Sequence, residues 1–291
     1  MTYYVLIAFC VIIIIAYIFD ITSKYSKIPG VILLILTGMA IKYFSQFFNI
    51  SIPDMSRILP VMGTLGLVLI VLEGSLDLTI SRDKRNLIFS SLSSAILLFL
   101  LFVGLFSYIA VYFLHYDLKT SIINIIPLAI ISSAVAIPSA SGLKQGDREF
   151  VTYESSLSDI LGILVFDFIL LSSGSLGSGV VNFFTKLFIT SITAILFSAG
   201  LAVMLHKINH HVKYVIIMTA IILVYALAKL IHLPALLVVL IFGLVMNNNM
   251  LLQNRFSLKI INFEEFNTDL NAFKNIAAEL TFIIRSFFFI L

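Results

Sequence analysis

The most informative stretch of the sequence reads Tyr153-Glu154-Ser155-Ser156-Leu157-Ser158-Asp159. It lies inside an apolar segment, residues 150–172, that is long enough to cross a bilayer as a helix. Asp159 falls about 14 Å along that helix, close to the middle of a hydrocarbon core about 30 Å thick. An ionisable group at this depth is costly, so Asp159 is the first candidate for a functional residue.

The composition of the chain excludes a soluble domain. Hydrophobic residues make up 60% of the 291 residues and charged residues 11%, which is typical of a polytopic membrane protein. The lysines and arginines lie in short loops, so we expect no nucleic-acid partner. The single cysteine excludes a disulfide framework. Because no phosphate loop, metal-ligand spacing or nucleophile elbow is present, we expect neither an enzyme nor a cofactor.

Ten apolar segments predict an all-α polytopic membrane protein with about ten transmembrane helices. Their approximate bounds are 3–19, 30–46, 61–80, 87–112, 123–143, 150–172, 180–205, 213–231, 234–247 and 272–291. Residues 250–271 are of mixed polarity and are predicted to lie on the membrane surface. The last segment is still apolar at Leu291, so we expect the chain to be C-terminally incomplete.

Lysines and arginines are distributed unequally between the two sides of the predicted membrane. Eleven lie in odd-numbered connections and three in even-numbered ones, and cytoplasmic loops carry the excess of these residues. The N-terminus is therefore predicted outside, in a bacterial inner (plasma) membrane, and the helix of Asp159 runs from the cytoplasm outward. His206, His210 and His211 fall in a cytoplasmic loop, where we expect them to be solvated.

Two segments share a pattern that suggests an internal repeat. Segment two has Pro29 followed by Gly38, and segment nine has Pro234 followed by Gly243, with the same spacing through an aliphatic stretch. The two copies are seven segments apart, an odd offset, so they run in opposite directions. This indicates an inverted-topology repeat of the kind found in secondary transporters, although proline at a helix start is also common by chance.

Segment five is predicted to contain an interrupted helix over residues 131–142. Pro138 removes a backbone donor and frees the carbonyl four residues earlier. Ser132, Ser133 and Ser139 could satisfy the freed groups, and the exposed carbonyls could help to bind a cation. A kinked helix with small residues for packing remains the alternative.

The residues around Asp159 form a polar constellation on one helix. Ser155 and Asp159 are four residues apart and share a face, as do Glu154 and Ser158. These oxygens suit a hard monovalent cation or protons, and the alternative is a buried polar cluster that only holds helices together.

Four further charged residues in apolar segments need an interpretation. Arg285 is predicted to form a buried ion pair with Glu154, and Glu73 is the other candidate partner. Asp167 could relay protons, but water exposure near the outer end of its helix is the favoured interpretation. Glu73 and Asp77 are most simply interfacial.

Four stretches together resemble the monovalent cation:proton antiporter superfamily, and its sodium/proton exchanger branch in particular. They are Ile28-Pro29-Gly30-Val31-Ile32-Leu33-Leu34, the run from Gly66 to Leu78, Glu154-Ser155-x-x-Ser158-Asp159, and the run from Phe282 to Leu291. The resemblance implies alternating access, in which an ion-binding core moves like an elevator against a dimer-forming part. It also implies that Asp159 binds the ion and that Glu154 is the family's buried glutamate, whose usual partner is an arginine such as Arg285.

The resemblance also implies a domain organisation within one transmembrane antiporter domain, residues 1–291. The parts are a dimerisation-type bundle (1–80), ion-translocating core helices (87–172), a linker helix (180–205) and the start of a second inverted repeat (213–291). The expected partners are Na⁺, Li⁺ or K⁺, protons, the lipid bilayer and a second copy of the chain.

Two departures from the family pattern leave the ion open. Ser158 stands where electroneutral exchangers carry Asn and electrogenic ones Asp, and Ala134-Val135-Ala136 replaces the usual Thr-Asp-Pro. The favoured activity is exchange of Na⁺, bound at Asp159, for protons. The alternatives are a K⁺/H⁺ antiporter and a non-transporting sensing or structural module. An intramembrane aspartyl protease is a weak alternative, because Asp159 and Asp167 lie about 12 Å apart on one helix.

Overall fold

The computed structural model describes residues 2–26, 28–48, 56–80, 83–171, 176–207, 212–248 and 263–290. These residues form eleven helices. In chain order they are α1 Thr2–Ser26, α2 Gly30–Phe47, α3 Leu59–Asp77, α4 Arg85–Leu114, α5 Leu118–Ala129, α6 Ser133–Ser139, α7 Gln145–Leu171, α8 Leu176–Lys207, α9 Lys213–Leu230, α10 Ala235–Asn247 and α11 Phe263–Ile290.

The predicted all-α polytopic membrane fold is confirmed. Nine of the ten apolar segments correspond to single helices, and segment five corresponds to the pair α5 and α6. Within the described ranges, six helices are long and apolar enough to cross a membrane, and α5 and α10 are shorter apolar helices. The two remaining long helices, α7 and α11, have 27 and 28 residues, and α7 carries the buried carboxylates Glu154 and Asp167.

Helix α11 corrects the prediction for residues 250–271. The helix begins at Phe263 and continues without a break to Ile290, so residues 263–271 extend the last helix rather than lying apart from it on the membrane surface. Residues 250–262 lie outside the described part of the chain, as do His210 and His211.

The predicted interruption of segment five is present, and the break lies at the start of the predicted range. The chain leaves the helical conformation at residues 130–132, between α5 and α6, and a 3₁₀ turn over Ala140–Gly142 follows α6. Pro138 lies inside α6, in the last turn of a seven-residue helix, where its missing N–H removes at most one helical hydrogen bond. Side chains of α7, described below, satisfy the backbone where the break occurs.

The two helices that begin after a proline start in the same way. Pro29 precedes α2, and its carbonyl accepts the N–H of Ile32 at 3.0 Å. Pro234 precedes α10, and its carbonyl accepts the N–H of Leu237, also at 3.0 Å. The two copies of the repeated sequence pattern therefore also share the same local structure.

The glycines of this motif are both points of close helix contact. A Cβ at Gly38 would overlap the backbone carbonyl of Ile290 in α11, and a Cβ at Gly243 would overlap the side chain of Ser75 in α3. Small residues allow helices to approach in this way within membranes. Helix α2 thus packs on α11 as α10 packs on α3.

Helices α3 and α11 also contact one another in a reciprocal way. Gly66 lies against the side chain of Ile284, and the Thr281 hydroxyl lies 3.4 Å from the carbonyl of Leu69. A two-fold rotation that superposes α3 on α11 and places Gly66 at the position of Thr281 also places Leu69 at the position of Ile284. The contact of Gly66 with Ile284 and the contact of Leu69 with Thr281 are therefore equivalent under this rotation. This reciprocity is what an inverted repeat with its axis at the α3–α11 crossing produces.

The helices pack in two groups. Helices α4, α5, α6 and α7 contact one another, and α3, α8, α9, α10 and α11 surround a second, larger core. Phe242, Phe266 and Phe273 are the largest fully buried side chains of that core. Helix α7 lies where the two groups meet, which places the stretch around Asp159 at the boundary between them.

Candidate ion-binding site

Side chains of α7 satisfy the backbone of the broken helix. The Ser158 hydroxyl oxygen accepts the N–H of Ile131 at 3.1 Å. Oδ2 of Asp159 accepts the N–H of Ser133 at 3.3 Å and the Ser133 hydroxyl at 2.6 Å. Buried backbone donors need such partners, so Ser158 and Asp159 fix the position of the break.

Gly162 makes room for the break on the same helix. A Cβ at this position would overlap the side chain of Ile130. Gly162 follows Asp159 by three residues and therefore shares its side of α7. The sequence interpretation missed this glycine, although its spacing from Ser158 and Asp159 was the available signal.

The other residues predicted for the interrupted helix have local roles. Ser132 lies in the break, and its carbonyl accepts the N–H groups of Val135 and Ala136 at 3.1 and 2.9 Å. The Ser139 hydroxyl donates to the carbonyl of Val135 at 2.8 Å. Val135 and Ser139 therefore belong to α6 itself, and of the predicted set the structure brings only Ser133 into hydrogen-bond contact with Asp159.

A narrow cavity of about 30 Å³ opens beside Asp159, between the two helix groups. Asp159, Ser133 and Ser156 are polar residues on one side of it, and Ser75 of α3, whose hydroxyl donates to the Leu72 carbonyl at 2.9 Å, lines the other side. Residues of α3 and α10 form the facing wall, among them Val71, Gly74, Leu236, Leu237 and Leu240. A cavity of this volume has room for a water molecule and so for a small cation.

Two neighbouring serines of α7 differ in their surroundings. Ser155, predicted as a ligand, is fully buried, and its hydroxyl donates to the carbonyl of Val151 at 2.8 Å. Ser156 lines the cavity, and its buried oxygen has no hydrogen-bond partner among the described residues. The sequence interpretation missed Ser156, although residues three apart on a helix are neighbours as much as residues four apart.

The sequence model of one family, described as sodium/hydrogen exchanger, transmembrane, matches residues 9–291. The chain belongs to the sodium/hydrogen exchanger family. Its structure is also similar to that of the sodium proton antiporter MjNhaP1 from Methanocaldococcus jannaschii, with a TM-score of 0.71 and 19% sequence identity, over 100% of this chain and 69% of that one. No curated protein matches the sequence at a significant level.

Family membership confirms the resemblance stated from the sequence. It supports a monovalent cation and protons as the substrates, and it identifies this exchanger as an integral membrane protein of a transporter family rather than an enzyme family.

The predicted ion pair between Glu154 and Arg285 is not formed in this exchanger. Glu154 is buried, and its Oε1 has no hydrogen-bond partner among the described residues. Arg285 borders a different small cavity, together with Asp20 and Ser23 of α1, and it acts electrostatically on Glu73 of α3. The two residues lie in different surroundings because α7 contacts α3 and α10, whereas Arg285 faces α1 and α2.

Asp167 is buried, which corrects the expectation that it is exposed to water. Its side chain is only 13% exposed, and Oδ1 lies 3.8 Å from Nζ of Lys229 in α9. Asp167 does not line the cavity beside Asp159. A relay role for Asp167 stays a prediction.

At its other end, α7 is joined to the segment that follows α3. The Tyr153 hydroxyl lies 3.0 Å from the Thr79 hydroxyl and also donates to the Thr79 carbonyl. The same segment is held by Asn247 and Asn248 of α10, which both donate to the carbonyl of Leu78 at 2.9 Å. Helix α7 thus has one polar contact to the larger helix group near each end, with the cavity and its aliphatic wall between them.

Proposed function

We propose that the protein exchanges a monovalent cation, Na⁺ in the first place, for protons across the membrane, and that Asp159 binds either one. The observation that carries this proposal is the position of Asp159. Its carboxylate lines a cavity at the boundary between two helix groups, beside a helix break whose backbone it helps to satisfy.

The hydrogen bonds of Asp159 leave room for a ligand. Both bonds from Ser133 use Oδ2, so Oδ1 is left to take a proton or a cation. A carboxylate at membrane depth is costly unless one of the two neutralises it. Since both compete for the same carboxylate, the competition itself couples their movement.

The other residues of the site hold Asp159 in place and complete its surroundings. Ser133 and Ser158 fix the carboxylate against the break, and within the described ranges no group of three or more His, Cys, Asp or Glu side chains is placed to hold a metal ion. A Na⁺ bound at Asp159 would complete its coordination with other oxygens, such as hydroxyl, carbonyl or water ligands, as suits a hard cation.

The proposal includes alternating access by relative movement of the two helix groups. In the proposal, α4 to α7 (within residues 87–172) move as the ion-binding core against α3, α10 and α11, and α8 (within 180–205) links them. The aliphatic wall formed by Leu236, Leu237 and Leu240 supports this, because an apolar surface allows sliding without unpaired polar groups. Residues 1–80, the dimerisation-type bundle, form the part through which we propose that two copies associate in the bilayer.

The test is cation-driven proton movement in everted membrane vesicles containing the protein expressed from its complete reading frame. We expect Na⁺, and to a smaller extent Li⁺, to drive proton movement with the wild type, and K⁺ to drive it less. Asp159→Asn keeps the shape and removes the charge, so exchange should stop. The matched control is Asp147→Asn, the same change at an exposed position of α7, which should leave exchange intact.

Three results would revise the proposal. A stronger response to K⁺ than to Na⁺ would indicate a K⁺/H⁺ antiporter. No response to any of the three cations would favour a non-transporting module with the same fold. If Asp159→Asn exchanges ions at the wild-type rate, the ion site must lie elsewhere, and Asp167 is the next candidate.

A further inference from the structure

We infer that Asn248 of α10 is a positioning residue for the movement of α7. It holds the chain that follows α3 on the larger helix group, and Tyr153 of α7 is attached to that group through the chain that Asn248 holds. The inference rests on the proposed function, because the movement of α4 to α7 is part of that proposal.

The chain leaves α3 in an extended conformation at residues 78–80. Backbone N–H and C=O groups without helical hydrogen bonds need other partners, and here side chains of α10 provide them. The Leu78 carbonyl accepts from Nδ2 of Asn247 and from Nδ2 of Asn248, each at 2.9 Å. The N–H of Ile80 donates to Oδ1 of Asn248. One asparagine side chain therefore binds the backbone on both sides of Thr79.

The Asn248 side chain has no capacity to spare for another role. Its Nδ2 also donates to the Leu244 carbonyl of its own helix, at 2.8 Å. A primary amide has two N–H donors and one carbonyl oxygen, so the contacts with Leu78, Leu244 and Ile80 use both donors and the oxygen. The residue is only 7% exposed. An aliphatic side chain of the same size could fill this place but could not hold the backbone.

A third helix of the larger group contributes to the same attachment. Nζ of Lys274 in α11 donates to Oδ1 of Asn247 at 2.7 Å, and Asn247 in turn donates to Leu78. Residues 78–80 continue directly from α3, and α10 and α11 hold them by side chains. This segment is therefore part of the larger helix group in the present arrangement.

Helix α7 contacts this segment between the two residues that Asn248 holds. The Tyr153 hydroxyl lies 3.0 Å from the Thr79 hydroxyl and donates to the Thr79 carbonyl. Tyr153 is attached to Thr79, and Asn248 fixes Thr79 from both sides, so the two contacts act in series. Without Asn248, the bond between Tyr153 and Thr79 can persist while the segment moves with α7.

The other end of the same connection belongs to the smaller helix group. Lys84, directly before α4, pairs with Glu149 of α7 at 3.0 Å. The connection is therefore bound to α10 at Leu78 and Ile80 and to α7 at Lys84. Asn248 marks the last point at which the larger group holds it among the contacts of the described residues.

The experiment measures how fast a cysteine at Ile160, which lines the cavity, reacts with an impermeant thiol reagent. The protein is expressed from its complete reading frame in a Cys10→Ser background. Everted vesicles present the face that we predict to be cytoplasmic, and intact cells present the opposite face. Four proteins are compared, namely the unchanged background, Tyr153→Phe, Asn248→Leu and the double variant.

Asn124→Leu is the matched control. It makes the same change at an exposed position of α5, where the amide donates to the Thr120 carbonyl of its own helix at 2.9 Å. Asn248→Ala is a second variant, which removes the amide without requiring space for leucine. The melting temperature of each purified protein shows that it is folded.

We expect Tyr153→Phe and Asn248→Leu each to raise the labelling rate in everted vesicles about two- to tenfold, the order expected from the loss of hydrogen bonds that favour one arrangement. The double variant should react no faster than Asn248→Leu alone, because contacts in series cannot be lost twice. Asn124→Leu should leave the rate unchanged. A purely structural role of Asn248 would lower the melting temperature but leave the effect of Tyr153→Phe intact in the double variant.

The outcomes separate this inference from the proposed function. If the two effects multiply in the double variant, or if neither Asn248→Leu nor Asn248→Ala changes the rate, the positioning role fails, while cation-driven proton movement still tests the exchange. If no cation drives proton movement but the effects do not multiply, the exchange fails and the positioning role stands. If no variant is labelled from either face, both alternating access and the role of Asn248 are overturned.

Discussion

The Ser133 hydroxyl donates to Oδ2 of Asp159 at 2.6 Å, across the gap between the broken helix and α7. Through this contact the first residue of α6 and the central carboxylate of α7 are held as one unit. The N–H of Ser133 reaches the same oxygen at 3.3 Å. A substitution of Ser133 should therefore alter cation binding at Asp159, even though Ser133 lies on another helix.

Ser133→Ala should reduce exchange without unfolding the protein. The substitution removes the hydroxyl bond to a charged group, which is worth about 1.5–3 kcal/mol, and it keeps the backbone N–H. We expect a shift of about tenfold or more in the cation concentration for half-maximal exchange, measured in everted vesicles. Ser139→Ala is the control, since the Ser139 hydroxyl bonds only within α6, and equal effects of the two changes would contradict this account.

Gly162→Ala should destabilise the protein through contact with Ile130. The added methyl group would overlap the Ile130 side chain, and overpacking of this kind costs about 1–3 kcal/mol. We expect a lower melting temperature for Gly162→Ala and partial recovery in the double variant with Ile130→Val. Gly104→Ala in α4 is the control, because a methyl group there meets open space, and a purely additive result for the Gly162 and Ile130 pair would argue against the contact.

The position of the break shows where sequence patterns stop being informative. Pro138 is a strong local signal, and it predicted an interruption within the correct segment. The break lies at residues 130–132 because Ser158, Asp159 and Gly162 provide the hydrogen bonds and the space there. Those residues are distant in the sequence, so local propensity alone could not locate the break, whereas hydropathy located the helices themselves.

Side-chain partners were harder to predict than helices for the same reason. Asp159 was predicted to be a functional residue from its depth in the membrane and its charge alone, and the structure places it beside the cavity. Whether Ser155 or Ser156 lines the cavity depends on how α7 is rotated against α3 and α10, and the local sequence does not determine this rotation. The predicted pairing of Glu154 with Arg285 relied on charge complementarity. Opposite charges identify possible partners, but they do not determine which helices face one another.

Glu154→Gln and Arg285→Gln should change stability independently of one another. The structure forms no ion pair between them, and residues without shared partners give additive changes within about 0.5 kcal/mol. A double-mutant cycle on the melting temperature tests this, with Lys213→Gln and Asp269→Asn as the positive control, because their side chains pair at 2.7 Å. A coupling between Glu154 and Arg285 as large as that of the control pair would show that the two residues meet in the membrane.

Cysteine labelling should show the N-terminus outside the cell. The eleven-to-three distribution of lysines and arginines supports this orientation. In a Cys10→Ser background, a cysteine at Arg57 should react with an impermeant thiol reagent in intact cells, and one at Lys84 only in everted vesicles. The reverse pattern would overturn the orientation.

Tyr153→Phe should make the cavity more accessible from the cytoplasm. The Tyr153 hydroxyl joins helix α7 to Thr79, so it stabilises the present arrangement of the two helix groups at the side that we predict to be cytoplasmic. A hydrogen bond contributes about 0.5–1.5 kcal/mol, and its loss can raise the population of an alternative arrangement by up to about tenfold.

The measurement is the labelling rate of a cysteine at Ile160, which lines the cavity. An impermeant thiol reagent is added to everted vesicles that contain the protein in the Cys10→Ser background. Tyr108→Phe, at an exposed position of α4, controls for the loss of a phenol hydroxyl. Faster labelling in Tyr153→Phe alone is the expected result, and an unchanged rate would mean that the contact with Thr79 does not restrain the movement of α7.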